Sequence, residues 1–282
     1  MNTIKLALPL MLALSGGCAH AAVIPFLGTA QEFVVLGAES VTNTGATTLQ
    51  GDLGVASGAA ITGTSGITFA SSGTIHQNNA VASGAQADAR AAYDRLAAFG
   101  GGIDLSGRDL GTLGVLSSGI YRFATSAALT GALTIDFAND PNGVVIFQIG
   151  STLTTASRSL ISVINGTSSN GIYFQVGSSA TLGESSAFAG NILAQESVTF
   201  GSSASIGCGR ALAVTVTMIG NHISNDCNAW SPTGLANDYG SGGYSGFGVT
   251  ALPPAEVPEP ATLALFGLGL GAVASLRRRR RA

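Results

Sequence analysis

The sequence predicts a mainly β protein: an irregular β-solenoid with one long α-helix packed alongside it. Two observations carry this prediction. Short β-forming segments recur with similar Gly/Ser turns, and a single stretch has helical periodicity. Repeats of roughly 20 to 30 residues with short strands are typical of solenoids, in which each coil buries its apolar face only by stacking on its neighbours. A β-sandwich would also contain many short strands, but its strands would not share Gly-Ser-Ser-Ala-type turns.

The predicted helix covers residues 81–99. Its apolar positions recur at helical spacing, polar side chains take the opposite face, and Gly100-Gly101-Gly102 ends it. Because most of the apolar positions are alanine, the helix can lie close against a flat surface. The apolar positions are Ala85, Ala89, Ala92, Tyr93, Leu96 and Phe99.

The β segments are related in pairs. Residues 143–150 return as residues 171–177, and residues 190–194 return 19 positions later as 209–213. Residues 201–206 look like a third copy of the turn that follows the first pair. On this alignment Leu129, Leu153, Leu182 and Ile206 are equivalent, with spacings of 24, 29 and 24 residues.

The N-terminus has the three parts of a secretory signal peptide. Lys5 gives a positive start, residues 6–14 are apolar, and Ala19-His20-Ala21 is a small-x-small cleavage site. Cleavage is expected after Ala21. Cys18 raises the alternative of a lipoprotein signal, but Ser15 stands where such signals usually have leucine.

The C-terminus carries a second targeting pattern. Pro258-Glu259-Pro260 precedes the uncharged residues 261–276, and five arginines follow, among them Arg277, Arg278 and Arg279. An apolar segment with a basic end is typical of a membrane segment whose basic end stays in the cytoplasm. Sixteen residues are short for a stable span, which needs about 20, so a transient anchor is predicted.

These three elements, in this order at the end of the chain, resemble the PEP-CTERM sorting signal. The resemblance covers residues 257–282 and implies processing by an exosortase-type membrane enzyme in a Gram-negative bacterium that makes extracellular polysaccharide. It implies a surface or matrix location with transient membrane contact. Between the two signals we predict an ordered domain over residues 22–228 and a Gly/Ser/Pro-rich flexible linker over residues 229–256.

Net charge and cysteine content narrow the class of partner and indicate the redox state of the cysteines. Residues 22–276 contain six arginines, no lysine and fifteen acidic residues, a formal net charge of −9, which disfavours nucleic acid as a partner. Cys208 and Cys227 are the two cysteines left after signal cleavage. In an oxidising compartment we expect them to form a disulfide.

No catalytic pattern is evident in the sequence. The only histidines after Ala21 are His76 and His222, and no nucleophile motif, zinc motif or phosphate-binding loop occurs. Asp136 and Asp140 are close in sequence, but residues 140–143 read as a turn. We predict neither an enzyme nor a cofactor or metal site.

The domain resembles the microbial ice-binding proteins that have a discontinuous β-solenoid. Residues 174–183 are a particularly close match, and the resemblance extends over residues 30–225. Other matching segments are residues 31–36, 41–45, 51–55, 133–136, 140–143, 190–194 and 209–213. The resemblance implies a right-handed, three-faced solenoid with a helix along its side, and adsorption to ice as the activity.

Ice adsorption through such a fold uses rows of small hydroxyl side chains, and threonine is suited because its β-branch limits its rotamers. The family's Thr-Ala/Gly-x-Thr/Asn pattern occurs in full only at residues 44–47, and residues 62–65 nearly match it. The candidate ice-binding residues are Thr44, Thr47, Thr62, Thr64, Thr152, Thr154, Thr181 and Thr199. The alternative function is a structural or adhesive module that binds matrix polysaccharide without binding ice.

Overall fold

The computed structural model describes residues 26–56, 60–70, 73–138, 140–226 and 243–246. They form one α-helix, twenty β-strands and three short 3-10 helices. The helix α1 is Ala80–Ala98, and the 3-10 helices are Gly28–Glu32, Thr64–Gly66 and Leu110–Thr112. The strands are β1 Phe33–Thr44, β2 Thr47–Gln50, β3 Asp52–Val55, β4 Ile61–Thr62, β5 Ile67–Phe69, β6 Ile75–Gln77, β7 Ile103–Asp104, β8 Val115–Leu116, β9 Gly119–Phe123, β10 Ala127–Leu129, β11 Ala132–Asp136, β12 Val144–Ile149, β13 Leu153–Thr155, β14 Leu160–Ile164, β15 Gly171–Val176, β16 Ala180–Leu182, β17 Ala187–Ala194, β18 Ser197–Phe200, β19 Ser205–Ile219 and β20 His222–Ser224.

The strands stack in parallel as three ladders, which are the three faces of a solenoid. Face A contains β7, β9, β12, β15, residues 189–194, residues 208–213, residues 33–37, β3 and β6. Face B contains β10, β13, β16, β18, residues 215–219, residues 40–44 and β4. Face C contains β8, β11, β14, residues 187–188, residues 205–206, β20, β2 and β5. The predicted mainly β solenoid with one helix is confirmed.

The coils do not stack in the order of the sequence. β1 lies between β19 and β3, so the first coil of the chain rests on the last coil. The later N-terminal strands continue the stack to β6 at one end, whereas β7 lies at the other end. Helix α1 connects these two ends. Its 19 residues span about 28 Å, close to six coil spacings of about 4.8 Å.

Helix α1 begins one residue before and ends one residue before the predicted limits. The side chain of Asn79 caps it by accepting a hydrogen bond from the Ala82 amide at 2.9 Å. Phe99 is the C-cap rather than a helical residue. The buried positions are Ala82, Ala85, Ala89, Ala92, Tyr93 and Leu96. The alanines let the helix axis approach face A closely, as the pattern predicts.

The core has two parts. One fills the interior of the coils, and the other lies between face A and α1. A column of aromatic rings runs through the interior. The centroid of Phe174 lies 4.5 Å from that of Phe147 and 4.7 Å from that of Phe188, and Tyr121 stacks on Phe147 at 5.5 Å. These rings join four successive coils.

The predicted repeats are partly confirmed. Residues 144–149 pair in register with 171–176, and Gly190 pairs with Gly209. The two glycines are required: both have positive φ, and a Cβ on Gly209 would lie 1.9 Å from the Gly190 carbonyl oxygen.

The predicted third copy is wrong in its placement. Ile206 lies on face C, paired with Phe188, whereas Leu153 and Leu182 lie on face B. Leu153 pairs with Ala127 rather than Leu129. The Gly-Ser-Ser-Ala turn recurs at two different corners of the coil, because any corner that changes chain direction favours small residues.

Several predicted features lie outside the described residues. These are the signal peptide, the cleavage site at Ala21, Cys227 and the sorting segment 257–282. Among the residues that are described, no helix has both the length and the apolar character needed to cross a bilayer. Within the predicted flexible linker, residues 243–246 correct the prediction, because they pack against face A and Tyr244 is completely buried.

Candidate functional site

Six threonines form an unbroken column along the outside of face B, which we call the threonine column. In spatial order they are Thr154, Thr181, Thr199, Thr217, Thr42 and Thr62, each paired with the next across the ladder. Adjacent coils are about 4.8 Å apart, so the column is about 24 Å long. Ala128 continues the column at one end, opposite Thr154.

The apolar neighbours of these threonines fix their outward direction. Each threonine follows a buried residue that points into the core, such as Ala180 before Thr181 and Val216 before Thr217. Because successive side chains on a strand point to opposite sides, burial of one residue forces the next to the surface. The register is therefore set by the same contacts that build the core.

A second column of hydroxyl side chains runs parallel to the first. Ser40 pairs with Thr215, and Thr215 with Ser197. Ser197 donates a hydrogen bond to the Ser179 hydroxyl at 2.9 Å, and the Thr152 hydroxyl donates to that of Ser126 at 2.8 Å. Residues two apart on a strand are about 6.6 Å apart, so the two columns form a two-dimensional array of hydroxyls.

Buried asparagines brace the corner between faces B and C. The side-chain amide of Asn43 donates hydrogen bonds to the carbonyl oxygens of Gly45 and Gly63, at 3.0 and 3.1 Å. The side-chain amide of Asn221 donates hydrogen bonds to the carbonyl oxygens of Gly201 and Ala204, at 2.8 and 2.9 Å. These bonds join neighbouring coils at the end of the face B strands and hold the array rigid.

The array carries no charge along its length. From Ala128 to Thr62 the threonine column contains no ionisable side chain. Over the described ranges, no cluster of three or more His, Cys, Asp or Glu side chains could hold a metal ion. His222 lies on face C, where burial lowers the pKa of its imidazole. The methyl and hydroxyl groups of the array can make van der Waals contacts and neutral hydrogen bonds.

The structure brings most of the predicted threonines together. Thr62, Thr154, Thr181 and Thr199 are in the threonine column, and Thr152 begins the second column. Thr44 is exposed at the edge of face B, opposite Ile219. Thr64 is exposed at the start of the 3-10 helix that follows β4.

Thr47 does not belong to this surface. It is 1% exposed and its hydroxyl donates to the Asn43 side chain at 2.6 Å. The Thr-Gly-Ala-Thr segment at residues 44–47 turns the corner from face B to face C, so only its first threonine faces outward.

Sequence reasoning missed Thr42, Thr217, Ser40, Ser197 and Thr215. A signal for them exists in the sequence. Ser-Val-Thr occurs at residues 40–42 and 197–199, and Thr-Val-Thr occurs at residues 215–217. These three tripeptides are adjacent in the structure. Each contributes its first residue to the second column and its last residue to the threonine column.

A family model described as Ice-binding-like matches residues 35–224. The chain belongs to the ice-binding-like family. A second model, the PEP-CTERM protein-sorting motif, matches residues 256–281. Membership of the ice-binding-like family agrees with the prediction that the chain is not an enzyme.

Relatives in this family share both sequence and fold with the chain. An ice-binding protein from Nostoc sp. (strain HG1) is 46% identical over 211 residues, which are 74% of this chain and 77% of that protein. The crystal structure of an ice-binding protein from the Antarctic ascomycete Antarctomyces psychrotrophicus superposes with a TM-score of 0.66 at 34% identity, covering 70% of this chain and 96% of that one. An ice-binding protein from an Antarctic biological consortium superposes with a TM-score of 0.65 at 35% identity, covering 79% and 96%.

Proposed function

We propose that this protein adsorbs to ice through face B. The observation that carries the proposal is the threonine column, with the second hydroxyl column beside it. A relative from Nostoc is named an ice-binding protein, and the crystal structure of an ice-binding protein superposes on this fold.

The mechanism follows from the side chains present. Threonine offers a methyl group that orders adjacent water and a hydroxyl that hydrogen-bonds to it. Its β-branched side chain has few rotamers, and parallel strands repeat it at a constant interval. An array that is already ordered loses little conformational entropy when it meets a crystal surface. Repeats of about 4.8 Å and 6.6 Å in two directions give the array a lattice-like spacing.

A polysaccharide-binding matrix module is less well supported. Sugar-binding surfaces generally present exposed aromatic rings, since the apolar face of a sugar stacks on them. The large exposed hydrophobic residues of the described ranges are all aliphatic: Ile75, Val81, Ile103, Val115, Ile164 and Ile219. No aromatic side chain interrupts the threonine column.

The deciding experiment is thermal hysteresis and recrystallisation inhibition with purified residues 22–256. We expect faceted crystals and arrested grain growth at micromolar protein. Crystals that grow as in buffer, from a protein whose circular dichroism shows the folded β structure, would overturn the proposal and favour the matrix module.

The PEP-CTERM motif indicates an exported, exosortase-sorted surface protein. We propose the finer steps: signal cleavage after Ala21, transient membrane contact through residues 261–276, and final placement at the cell surface or in the matrix of a Gram-negative bacterium. The intact mass of the protein recovered from the producing cell tests these steps. A mass that still includes residues 1–21 would contradict the first.

A disulfide between Cys208 and Cys227 is part of the proposal. Cys208 is completely buried on β19, and Cys227 follows the last described residue of the domain by one position. A loop of about 20 residues closed in this way stabilises a fold by about 3 kcal/mol.

We expect Cys227→Ser to lower the free energy of unfolding by about 3 kcal/mol, measured by urea titration under oxidising conditions. Adding a reductant should destabilise the native protein by a similar amount and leave the variant unchanged. An effect of reductant on the variant as large as on the native protein would contradict the pairing.

A further inference from the structure

Residues 243–246 pack against face A at its boundary with face C. Ser245 forms an antiparallel bridge with Gly171, the first residue of β15. The Ile172 amide donates to the Tyr244 carbonyl oxygen at 3.1 Å, and the Asn191 side chain donates to the same oxygen at 2.8 Å. The Tyr173 hydroxyl donates to the Ser245 carbonyl oxygen. Tyr244 and Ser245 are 0% and 2% exposed.

Arg210 connects this segment to the start of the domain. Its Nε and Nη2 atoms donate to the Gln31 carbonyl oxygen at 2.8 and 2.6 Å, and Nη1 donates to the Gly243 carbonyl oxygen at 3.3 Å. Nη1 also donates to the Asn191 side-chain oxygen at 2.8 Å. Burial lowers the pKa of Arg210 to about 10, so the guanidinium is charged at neutral pH. A buried charge needs such partners, because leaving one of its donors unpaired is costly.

The position of these contacts on the coil determines where the chain leaves the solenoid. Tyr173, Asn191 and Arg210 are aligned across β15, β17 and β19, in the part of face A nearest face C. In a three-sided coil, the edge between faces A and C lies opposite face B. Residues 243–246 are therefore held on the side of the molecule away from the threonine column.

We propose that residues 243–246 are an intramolecular latch. The latch fixes the point on the domain from which the chain continues to the sorting segment, and it keeps face B turned away from the surface to which that segment attaches the protein. The latch itself is independent of ice binding, and its consequence for ice presentation rests on the proposed function. The chain supplies its own ligand here: a four-residue segment held by a buried arginine, an asparagine and a tyrosine.

The latch shortens the tether. Without it, 30 residues separate Asp226 from the sorting segment that begins at Val257; with it, ten residues follow Gly246. A stretch of n residues spans at most about 3.3–3.6 Å × n. The greatest separation that the chain allows between the domain and the sorting segment is therefore about three times smaller with the latch than without it.

The test is the distribution of distances between two spin labels, measured by pulsed electron–electron double resonance on a protein of residues 22–256. The labels are attached to a ketone-bearing amino acid at positions 181 and 255, so the native cysteines take no part. Tyr244→Ser removes the buried ring, and Tyr244→Phe, which keeps the ring, is the matched control. Circular dichroism of each variant checks that the solenoid is intact.

We expect a narrow distribution in the native protein and in Tyr244→Phe, and a distribution about 1.8 times wider in Tyr244→Ser, because the free chain before position 255 lengthens about threefold. Equal widths in the native protein and Tyr244→Ser would overturn the latch. If the main distance between positions 181 and 255 were shorter in the native protein than in Tyr244→Ser, the placement of the latch opposite face B would be overturned.

Thermal hysteresis of the unlabelled, untethered proteins separates the two proposals. We expect equal hysteresis in the native protein and Tyr244→Ser, since the contacts described for the segment are with face A, on the side away from the threonine column. Absence of hysteresis from both, with the difference in width retained, would reject ice binding and leave the latch standing.

Discussion

Thr181→Tyr is expected to abolish the thermal hysteresis of the protein while leaving its melting temperature within a few degrees. Thr181 is exposed and is the second of the six residues of the threonine column, between Thr154 and Thr199. A phenol ring at this position would stand above the hydroxyls on both sides and hold the crystal surface away from them. Adsorption depends on many weak contacts made together, because a single pair of atoms contributes only about 0.1–0.2 kcal/mol. A gap across the array therefore removes most of them at once.

The fold should tolerate this change because Thr181 is exposed and only its neighbours Ala180 and Leu182 are buried. Surface substitutions of this kind usually change stability by less than about 0.5 kcal/mol. The matched control is Thr68→Tyr. Thr68 is also an exposed strand threonine, but it lies on face C, opposite Thr48.

Hysteresis and grain growth of the two variants, measured at equal concentration, check the assignment of the face. Thr68→Tyr should behave like the native protein. Retention of full activity in Thr181→Tyr would reject face B, and its loss in Thr68→Tyr alone would move the site to face C.

Phe174→Ala is expected to lower the free energy of unfolding by about 3–5 kcal/mol. Phe174 is completely buried and lies between Phe147 and Phe188 in the aromatic column. Its removal leaves a cavity that the parallel coils cannot collapse to fill, because their backbones are fixed by hydrogen bonds on both sides. The two ring contacts are also lost.

Urea denaturation of the variant and the native protein measures this loss. Phe69→Ala is the control: Phe69 is partly buried at the end of the stack, in β5, and has a coil on one side only. We expect it to cost less than half as much. Equal losses from the two variants would show that the interior column contributes nothing beyond ordinary burial.

The parts of this fold that follow from local patterns were predictable from the sequence. The helix is visible because Ala85, Ala89, Ala92 and Leu96 repeat at its period, and each of them is buried as that period requires. The pairing of residues 144–149 with 171–176 is visible because neighbouring coils present similar residues to the same core.

The threonine column was only partly predictable, because its members come together through an unusual stacking order. Thr42 and Thr217 are neighbours in space but 175 residues apart in the chain. Reading coils in chain order gives each of them the wrong neighbours. The prediction that Thr47 lies on the binding face failed for a different reason. A corner of the coil reverses which residues face outward, and the sequence pattern alone does not locate the corner.

The latch was not predicted, because the composition of residues 229–256 is typical of a flexible linker. Glycine and serine around Tyr244 are typical of a flexible spacer, yet the same small residues allow the backbone to lie flat against Gly171. Arg210 binds this segment through contacts that its neighbours in the sequence do not indicate. Its partners include Gln31 and Gly243, at opposite ends of the described chain.

The position of β1 between β19 and β3 has a consequence for how the protein is made. β1, the strand synthesised first, needs β19, which only β20 follows, as its neighbour, so the middle of the array is the last part to be completed. A chain shortened at its C-terminal coil would not display a shorter array; it would have a gap in the centre, with Thr42 and Thr62 separated from the rest. We therefore expect activity to arise in one step, after the whole domain has crossed the membrane.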